Sequence, residues 1–453
     1  MSFGRASFLI ILSGLAALAV RLALTSPLGH DDIEHLHTAW LVSQGYRPFL
    51  DFFQKQSPLF WILLQPAAVL GGTDLLAFAL LGRLTMLGAL VATTLGVLAL
   101  GRSIVRPTRW AAPFVLLASA TLLYNLVAIR PDGVMSACMV WAVAMLLRRS
   151  PRSLVAGGFL LGFASVLLLK AAPSAVVLGV TAALLFRPEG RSRIAGALRS
   201  LALVAAGALL AVGPFLLWLH LSGLLEGFWF TNVVFNGWLY SSPLAEDVPR
   251  VSRLATVLGA MVRNEPWLPL SVVAGFLLAL RLRRPLRAAD RTVILLLVLS
   301  GVNLLLLIPN HLPFYSYFLL PLLAGIGLSP ALLQALLDRF EQHRIEWRAP
   351  GFNRGLRVPP LIASLLAVAI AALAVAGFQR FATSEGQIRK LAALPRDKGS
   401  FELPEHPVFV VDRHYVWDNV DRYLDTLRRM DRGGALPGWI RERCAEQLRG
   451  PMP

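Results

Sequence analysis

Charge is what this sequence most lacks. Asp, Glu, Lys and Arg make up 15% of its 453 residues, against about 25% in an ordinary soluble domain. With 56% hydrophobic residues and a mean hydropathy of +0.63, that deficit excludes a water-soluble globular protein. Acidic residues are scarcer still: 26 Asp and Glu stand against 43 Lys and Arg, a formal charge of +17. In a soluble chain such an excess would suggest nucleic acid. Here the enrichment of cytoplasmic membrane loops in Lys and Arg accounts for it, and no nucleic-acid partner is expected. Cysteine is nearly absent, with Cys138 in an apolar run and Cys444 near the end, so no disulfide framework is expected. The chain also lacks an internal repeat of the kind many transporters carry.

What is present is a series of apolar runs near the roughly 20-residue spanning length. Eleven spans are expected, at 6-24, 75-100, 110-128, 132-147, 154-169, 171-186, 198-220, 265-280, 291-309, 314-336 and 358-378. The fold class expected is therefore an all-α polytopic membrane protein. The first run is read as an anchor rather than a cleaved signal, because the rest of the chain is itself polytopic. Basic residues concentrate on alternate connections, around Arg102, Arg106 and Arg109; Arg148, Arg149 and Arg152; Arg187 to Arg199; Arg281 to Arg291; and Arg339 to Arg357. The positive-inside rule makes these cytoplasmic. The sparser set, including Arg47, Lys55, Arg130 and Lys170, then faces the other side.

The transmembrane domain is expected over 1-378, with residues 25-74 as its first extracytoplasmic loop. Within that loop Pro58 to Leu70 suits an interfacial helix, being too short to span. A second outer segment, 221-264, is rich in aromatics (Phe228, Trp229, Phe230, Phe235, Trp238 and Tyr240), which gather at bilayer interfaces whatever the function. Residues 379-453 read as a small extracytoplasmic α/β tail: a strand at Val408 to Val411, then two short helices. The first helix has Val420, Tyr423, Leu424, Leu427 and Met430 on one face. That face suits either the membrane or the outer loops.

Chemistry concentrates just after the first span, where His30-Asp31-Asp32-Ile33-Glu34-His35-Leu36-His37 places three carboxylates and three histidines in eight residues. On a helix starting near Asp31, the side chains of Asp31, Glu34 and His35 share one face. Asp31 is equally a sound N-cap, which is a purely structural role. A carboxylate at the membrane surface can accept a proton from an acceptor hydroxyl or amine. Asp31, Glu34 and His35 also form a conceivable divalent-metal set, although no second ligand cluster accompanies them and no cofactor is otherwise expected.

The motif Gly45-Tyr46-Arg47-Pro48-Phe49-Leu50-Asp51-Phe52-Phe53, followed by Ser57-Pro58-Leu59 and preceded by the acidic pair, resembles the bacterial branch of the dolichyl-phosphate-mannose protein mannosyltransferase-like family. That family lies within the GT-C superfamily of membrane glycosyltransferases. The resemblance is strongest over residues 29-72. It continues at Arg130-Pro131-Asp132, at Lys170 and at His311-Leu312-Pro313-Phe314-Tyr315. It implies transfer of a sugar from a polyprenyl-phosphate carrier to a glycan, lipid or protein acceptor, usually with inversion. It also implies a multi-pass protein of the bacterial inner membrane with its active site on the extracytoplasmic face. Asp31 takes the position of the base or substrate-orienting carboxylate. Asp32 stands where many relatives carry Glu, and is expected to share in catalysis.

Charge logic points to the same donor class. A departing polyprenyl phosphate needs cations, and Arg130 and Lys170 at outer span ends are the expected contacts, with Arg83 inside a span a weaker candidate. The alternative for each is to snorkel to the interface. Asp132 is either a second acid or the partner of Arg130. Glu34, His35, His311, Tyr315 and Tyr317 complete the expected substrate-binding set. A lipid-linked sugar flippase or secondary transporter is the rival, and would place its charged site nearer the bilayer midplane. A glycan-binding scaffold is a third option.

Overall fold

A computed structural model describes residues 3–26, 28–104, 108–185, 193–241, 288–306, 318–342 and 421–449, with isolated helical residues between 255 and 273. Among the described residues the chain is helical, with no strand beyond one isolated bridge between Pro48 and Phe52. The expected spans at 265-280 and 358-378, and the expected strand at Val408 to Val411, lie outside the described residues.

Two described helices are long and apolar enough to cross a bilayer, Leu75–Ile104 and Ile194–Leu221. Several shorter apolar helices pack around them. Phe3–Thr25, Pro151–Leu167, Ala172–Leu185, Ala288–Leu305 and Leu319–Gln342 all overlap expected spans. One expectation needs correction: 110-128 is not one helix. It breaks at Ser119 into Ala111–Ala118 and Ala120–Val127. Ser119 is extended (φ −88°, ψ 101°), and its hydroxyl accepts the Leu122 amide to cap the second helix. The chain then turns through 106° into Pro131–Leu146, with Pro131 at the first helical position, where its missing N–H costs nothing.

Small residues decide how closely some helices approach. Pro151–Leu167 and Arg193–Leu221 meet through Gly158, Gly162 and Gly207. A Cβ on Gly158 would lie 2.0 Å from the Val204 carbonyl oxygen, and one on Gly207 would lie 2.0 Å from that of Val155. Backbone cannot yield to such contacts, so the two helices would have to separate. Gly207→Ala is therefore expected to destabilise by at least the roughly 1–3 kcal/mol of core overpacking. Gly213 in the same helix faces open space, so Gly213→Ala should hold or raise stability. Thermal unfolding in detergent compares the two, and equal melting temperatures would refute the tight crossing.

The segment between the first helix and Leu75–Ile104 is folded onto the bundle. Helix His30–Ser43 is followed by a tight turn, then by Leu59–Leu63 and Gln65–Gly71. The short helices are held by Gln65, whose amide donates to the Ala39 carbonyl at 3.0 Å, and by fully buried Trp61. Further along, Leu225–Trp229, the π-helical turn Phe230–Phe235 and Asn236–Ser241 run consecutively. Phe228, Phe230 and Phe235 are buried in protein, whereas Trp229 and Trp238 are exposed. The aromatic segment therefore divides between packing and exposure. The helix Asp421–Arg432 settles the choice offered by its apolar face: Tyr423, Leu424, Leu427 and Met430 pack with Phe53, Phe230, Phe235 and Leu239 of the two outer segments. Val420 lies outside the described residues. Cys138 and Cys444 are both free.

Candidate active site

The acidic stretch forms the start of helix His30–Ser43 with Gly29 as N-cap. Asp31 and Asp32, adjacent in sequence, point to different surroundings because successive helical residues are about 100° apart. The Asp32 side chain is 2% exposed. Its Oδ2 accepts the Gly29 amide at 2.7 Å and the Arg83 guanidinium at 3.0 Å, and its Oδ1 accepts the Ile129 amide. Arg83 is just as buried and also donates to the Val127 carbonyl at 3.0 Å. Asp32 and Arg83 therefore hold both sides of the break between Ala120–Val127 and Pro131–Leu146, supplying partners to a carbonyl and an amide that the kink strips of helical ones. Arg83, the less favoured phosphate candidate, is buried in this ion pair.

Asp31 stays at the edge. Its side chain is 39% exposed, and Oδ2 lies 3.0 Å from Arg130. Arg130 also reaches Asp132 at 3.6 Å, and Asp132 receives Lys170 at 2.5 Å. Four expected site residues from three separate helix ends, 31, 130–132 and 170, thus form one alternating chain of charge. Asp132 sits in the first turn of its helix, where the helix dipole favours an anion. Lys170 is carried by a 3₁₀ turn, Leu169–Ala171, between two apolar helices. Asp132 is thus ion-paired to both cations rather than to Arg130 alone.

Glu34 and His35 lie beneath this chain. Glu34 accepts the amide of buried Gln54 at 3.1 Å, and the same Gln54 nitrogen reaches Thr38 Oγ1 at 3.2 Å. His35 is 1% exposed, and its Nδ1 accepts the Trp61 indole N–H at 3.1 Å. Burial pushes its pKa below the ordinary histidine value despite the nearby Glu34 and Asp31. With Nδ1 occupied as an acceptor, the neutral ring carries its proton on Nε2. The metal option for Asp31, Glu34 and His35 finds no geometric support: among the described residues no three His, Cys, Asp or Glu side chains converge. His311, Tyr315 and Tyr317 lie outside the described residues.

The Pro-Phe-x-Asp motif builds the wall of this site. Asp51 accepts the Arg47 amide at 2.7 Å, and the Phe49 amide donates to the Phe52 carbonyl at 2.9 Å. Phe49 takes a left-handed backbone, φ +70°, although fully buried, a conformation rarely accepted by a bulky residue. Its ring packs against Gly227, where a Cβ would come within 2.5 Å. The loop then presents Lys55, a residue sorted to the outer face from the sequence but not picked as a ligand. The Gln54 carboxamide oxygen accepts the Lys55 amide at 2.8 Å, and Asn236 donates to the Lys55 carbonyl at 3.0 Å. The ammonium lies 4.6 Å from the centre of the Tyr423 ring. Burial alone would lower its pKa, but Tyr423, Glu34 and Asp31 outweigh burial and hold it above the ordinary lysine value. Lys55 therefore carries its charge without a carboxylate within ion-pairing distance among the described residues.

No protein-family model matches this chain, and no curated protein matches it significantly in sequence. Solved structures do match. The crystal structure of ArnT from Cupriavidus metallidurans bound to undecaprenyl phosphate superposes with a TM-score of 0.59 at 13% identity, covering 95% of this chain and 89% of that one. The apo-state structure of the same protein gives 0.56 at 14% identity, covering 83% and 76%. At such identities the likeness establishes the fold: this chain has the architecture of ArnT over nearly its whole length.

Proposed function

We propose that this protein is an integral membrane glycosyltransferase of GT-C type that moves a sugar from a polyprenyl-phosphate donor to an acceptor hydroxyl or amine. The observation that carries the reading is the arrangement at the outer helix ends. An edge carboxylate, Asp31, stands in one charge network with Arg130, Asp132 and Lys170, and a charged Lys55, with no carboxylate within ion-pairing distance among the described residues, lies in the adjoining loop. The undecaprenyl phosphate bound to the ArnT structure supports a polyprenyl-phosphate donor. The resemblance of residues 29-72 to the mannosyltransferase-like branch supports transfer as the chemistry. The choice of sugar belongs to the experiment below.

The reaction is a single displacement. Asp31 takes the proton of the acceptor as its oxygen or nitrogen bonds to the anomeric carbon. The bond from that carbon to the phosphate oxygen breaks, and its electron pair leaves with polyprenyl phosphate. Attack from the face opposite the leaving group inverts the anomeric centre. The leaving phosphate gains negative charge, and we assign Lys55 to meet it, because among the described residues it has no carboxylate within ion-pairing distance, whereas Arg130 and Lys170 are shared among carboxylates. We assign Asp32 a supporting role, as its oxygens are spent on Gly29, Ile129 and Arg83. Glu34 and His35 are read as the packed floor of the site, and Arg130, Asp132 and Lys170 as the network that orients Asp31. The active face is assigned to the extracytoplasmic side of a bacterial inner membrane by the basic clusters on the opposite connections. The segment 379-453 is placed on that same side.

Reconstituted protein supplied with polyprenyl-phosphate sugars, with products followed by mass spectrometry, tests the reading. Sugar should leave the carrier and appear on an acceptor only with the protein present. Passage of intact lipid-linked sugar across the bilayer, with no transfer, would instead make the protein a flippase. Within this assay Lys55→Ala should weaken binding of undecaprenyl phosphate about 10- to 100-fold, the scale of one charged hydrogen bond. Unchanged affinity would remove Lys55 from the donor site.

A further inference from the structure

Tyr423 belongs to a segment that the sequence presents as a tail, 368 positions after Lys55, yet its ring lies beside that ammonium. The contact is built from several directions. Tyr423 is 6% exposed, and its ring meets Phe53 at 5.8 Å and Phe235 edge-on at 5.7 Å, while Phe53 and Phe235 meet each other at 4.9 Å. The first outer loop, the π-helical turn and the helix Asp421–Arg432 thus share one aromatic knot. Beside it, Asn236 holds the Lys55 backbone. The next helix, Gly438–Arg443, fastens the segment further: the Trp439 indole donates to Glu226 at 2.8 Å, and Arg441 donates to Asp431 of Asp421–Arg432 at 2.6 Å.

A lysine side chain is a flexible four-carbon stem whose ordering costs about 1.5–2 kcal/mol of rotamer freedom. A ring face at cation–π distance removes much of that freedom before a ligand arrives. It does so without neutralising the charge, as a carboxylate partner would. We infer that Tyr423 is a positioning residue of the donor site: the C-terminal helix docks on the outer loops so that this ring holds the Lys55 ammonium ready for a phosphate monoester or diester. The inference rests on the proposed polyprenyl-phosphate donor and makes the C-terminal segment part of the site.

The test is a double-mutant cycle on undecaprenyl phosphate binding to the full chain in nanodiscs, read by native mass spectrometry and needing no turnover. Tyr423→Leu should weaken binding roughly 3- to 30-fold, the range spanned by cation–π energies. In a Lys55→Ala background the same change should have almost no effect, because the group being positioned is gone. A merely structural tyrosine would weaken both backgrounds equally, and that result overturns the inference. Tyr423→Phe keeps the packing and the ring face but removes the hydroxyl that also bonds the Lys55 side chain, so its affinity should fall between those of the unaltered protein and the leucine variant, and it covers the case in which the leucine variant fails to fold. A phenylalanine variant that weakens binding equally with and without Lys55 would also overturn the inference. Wild-type binding with an unaffected Tyr423→Leu variant would refute the positioning role and leave the proposed function standing. Failure of the wild type to bind the carrier at all would refute both.

Discussion

Replacing Asp32 by alanine is expected to lower stability by about 3–5 kcal/mol, the cost of stranding one partner of a buried ion pair. The reason is specific to this fold. Asp32 is the acceptor for the Arg83 guanidinium and for the Gly29 and Ile129 amides, so its loss strips a buried cation of its counter-charge and leaves a half-buried and a buried N–H group without this acceptor. The damage should concentrate at the 106° bend, since Arg83 and Asp32 together satisfy Val127 and Ile129 on its two sides. Asp32→Asn should recover only part of the loss, because the amide cannot neutralise Arg83. The double variant Asp32→Asn/Arg83→Met should be less destabilised than the two single changes added together, since removing both charges of a buried pair avoids the stranded one. Thermal unfolding of the purified protein in detergent, or protease resistance in membranes, gives the measurement. A melting temperature for Asp32→Ala equal to that of the unaltered protein would show that the pair does not hold the bend.

Asp31→Asn should do the reverse, leaving stability nearly intact while reducing sugar transfer about 10²- to 10⁴-fold, the range for loss of a general base. Asp31 is two-fifths exposed and makes one ion pair, so neutralising it strands no buried partner: Arg130 retains Asp132. Asparagine has almost the same shape and can still accept from Arg130. What it lacks is the ability to take a proton from the acceptor. Transfer rates measured with saturating donor, beside donor binding measured separately, distinguish this from a binding defect. Binding should change only a few-fold while turnover collapses. Full turnover in Asp31→Asn would take the aspartate out of the mechanism and return it to the N-terminal turn as a structural residue. The contrast between neighbouring positions, one lost mainly in stability and one mainly in rate, separates the two carboxylates more sharply than either experiment alone.

The architecture was legible in the sequence wherever it depended on the solvent. Apolar length finds helices such as Leu75–Ile104 and Arg193–Leu221, because a bilayer admits few alternatives to a spanning helix. Sorting Lys and Arg by side brought Arg130 and Lys170 onto one face, and they do meet, through Asp132. The face of Tyr423, Leu424, Leu427 and Met430 was visible as a period, and it is the buried face of a helix. The break at Ser119 was not visible, since a serine within an apolar run reads as a tolerated polar residue until its hydroxyl is seen capping Leu122.

The site itself divides along the same line. By itself the sequence determined that the protein is built of apolar membrane-length runs and that the acids after the first helix are the densest ionisable cluster available. Those are consequences of local composition and of the energetic gap between water and hydrocarbon. Only the tertiary structure decided which of two adjacent aspartates faces outward, since a 100° step on a helix has meaning only once its neighbours are placed. It also decided that Arg83 closes a kink and that Lys55 has no carboxylate within ion-pairing distance among the described residues. Above all, it brought Tyr423 from the far end of the chain to the first outer loop. Contacts of that range come from packing between segments, and no period or motif within either segment encodes them.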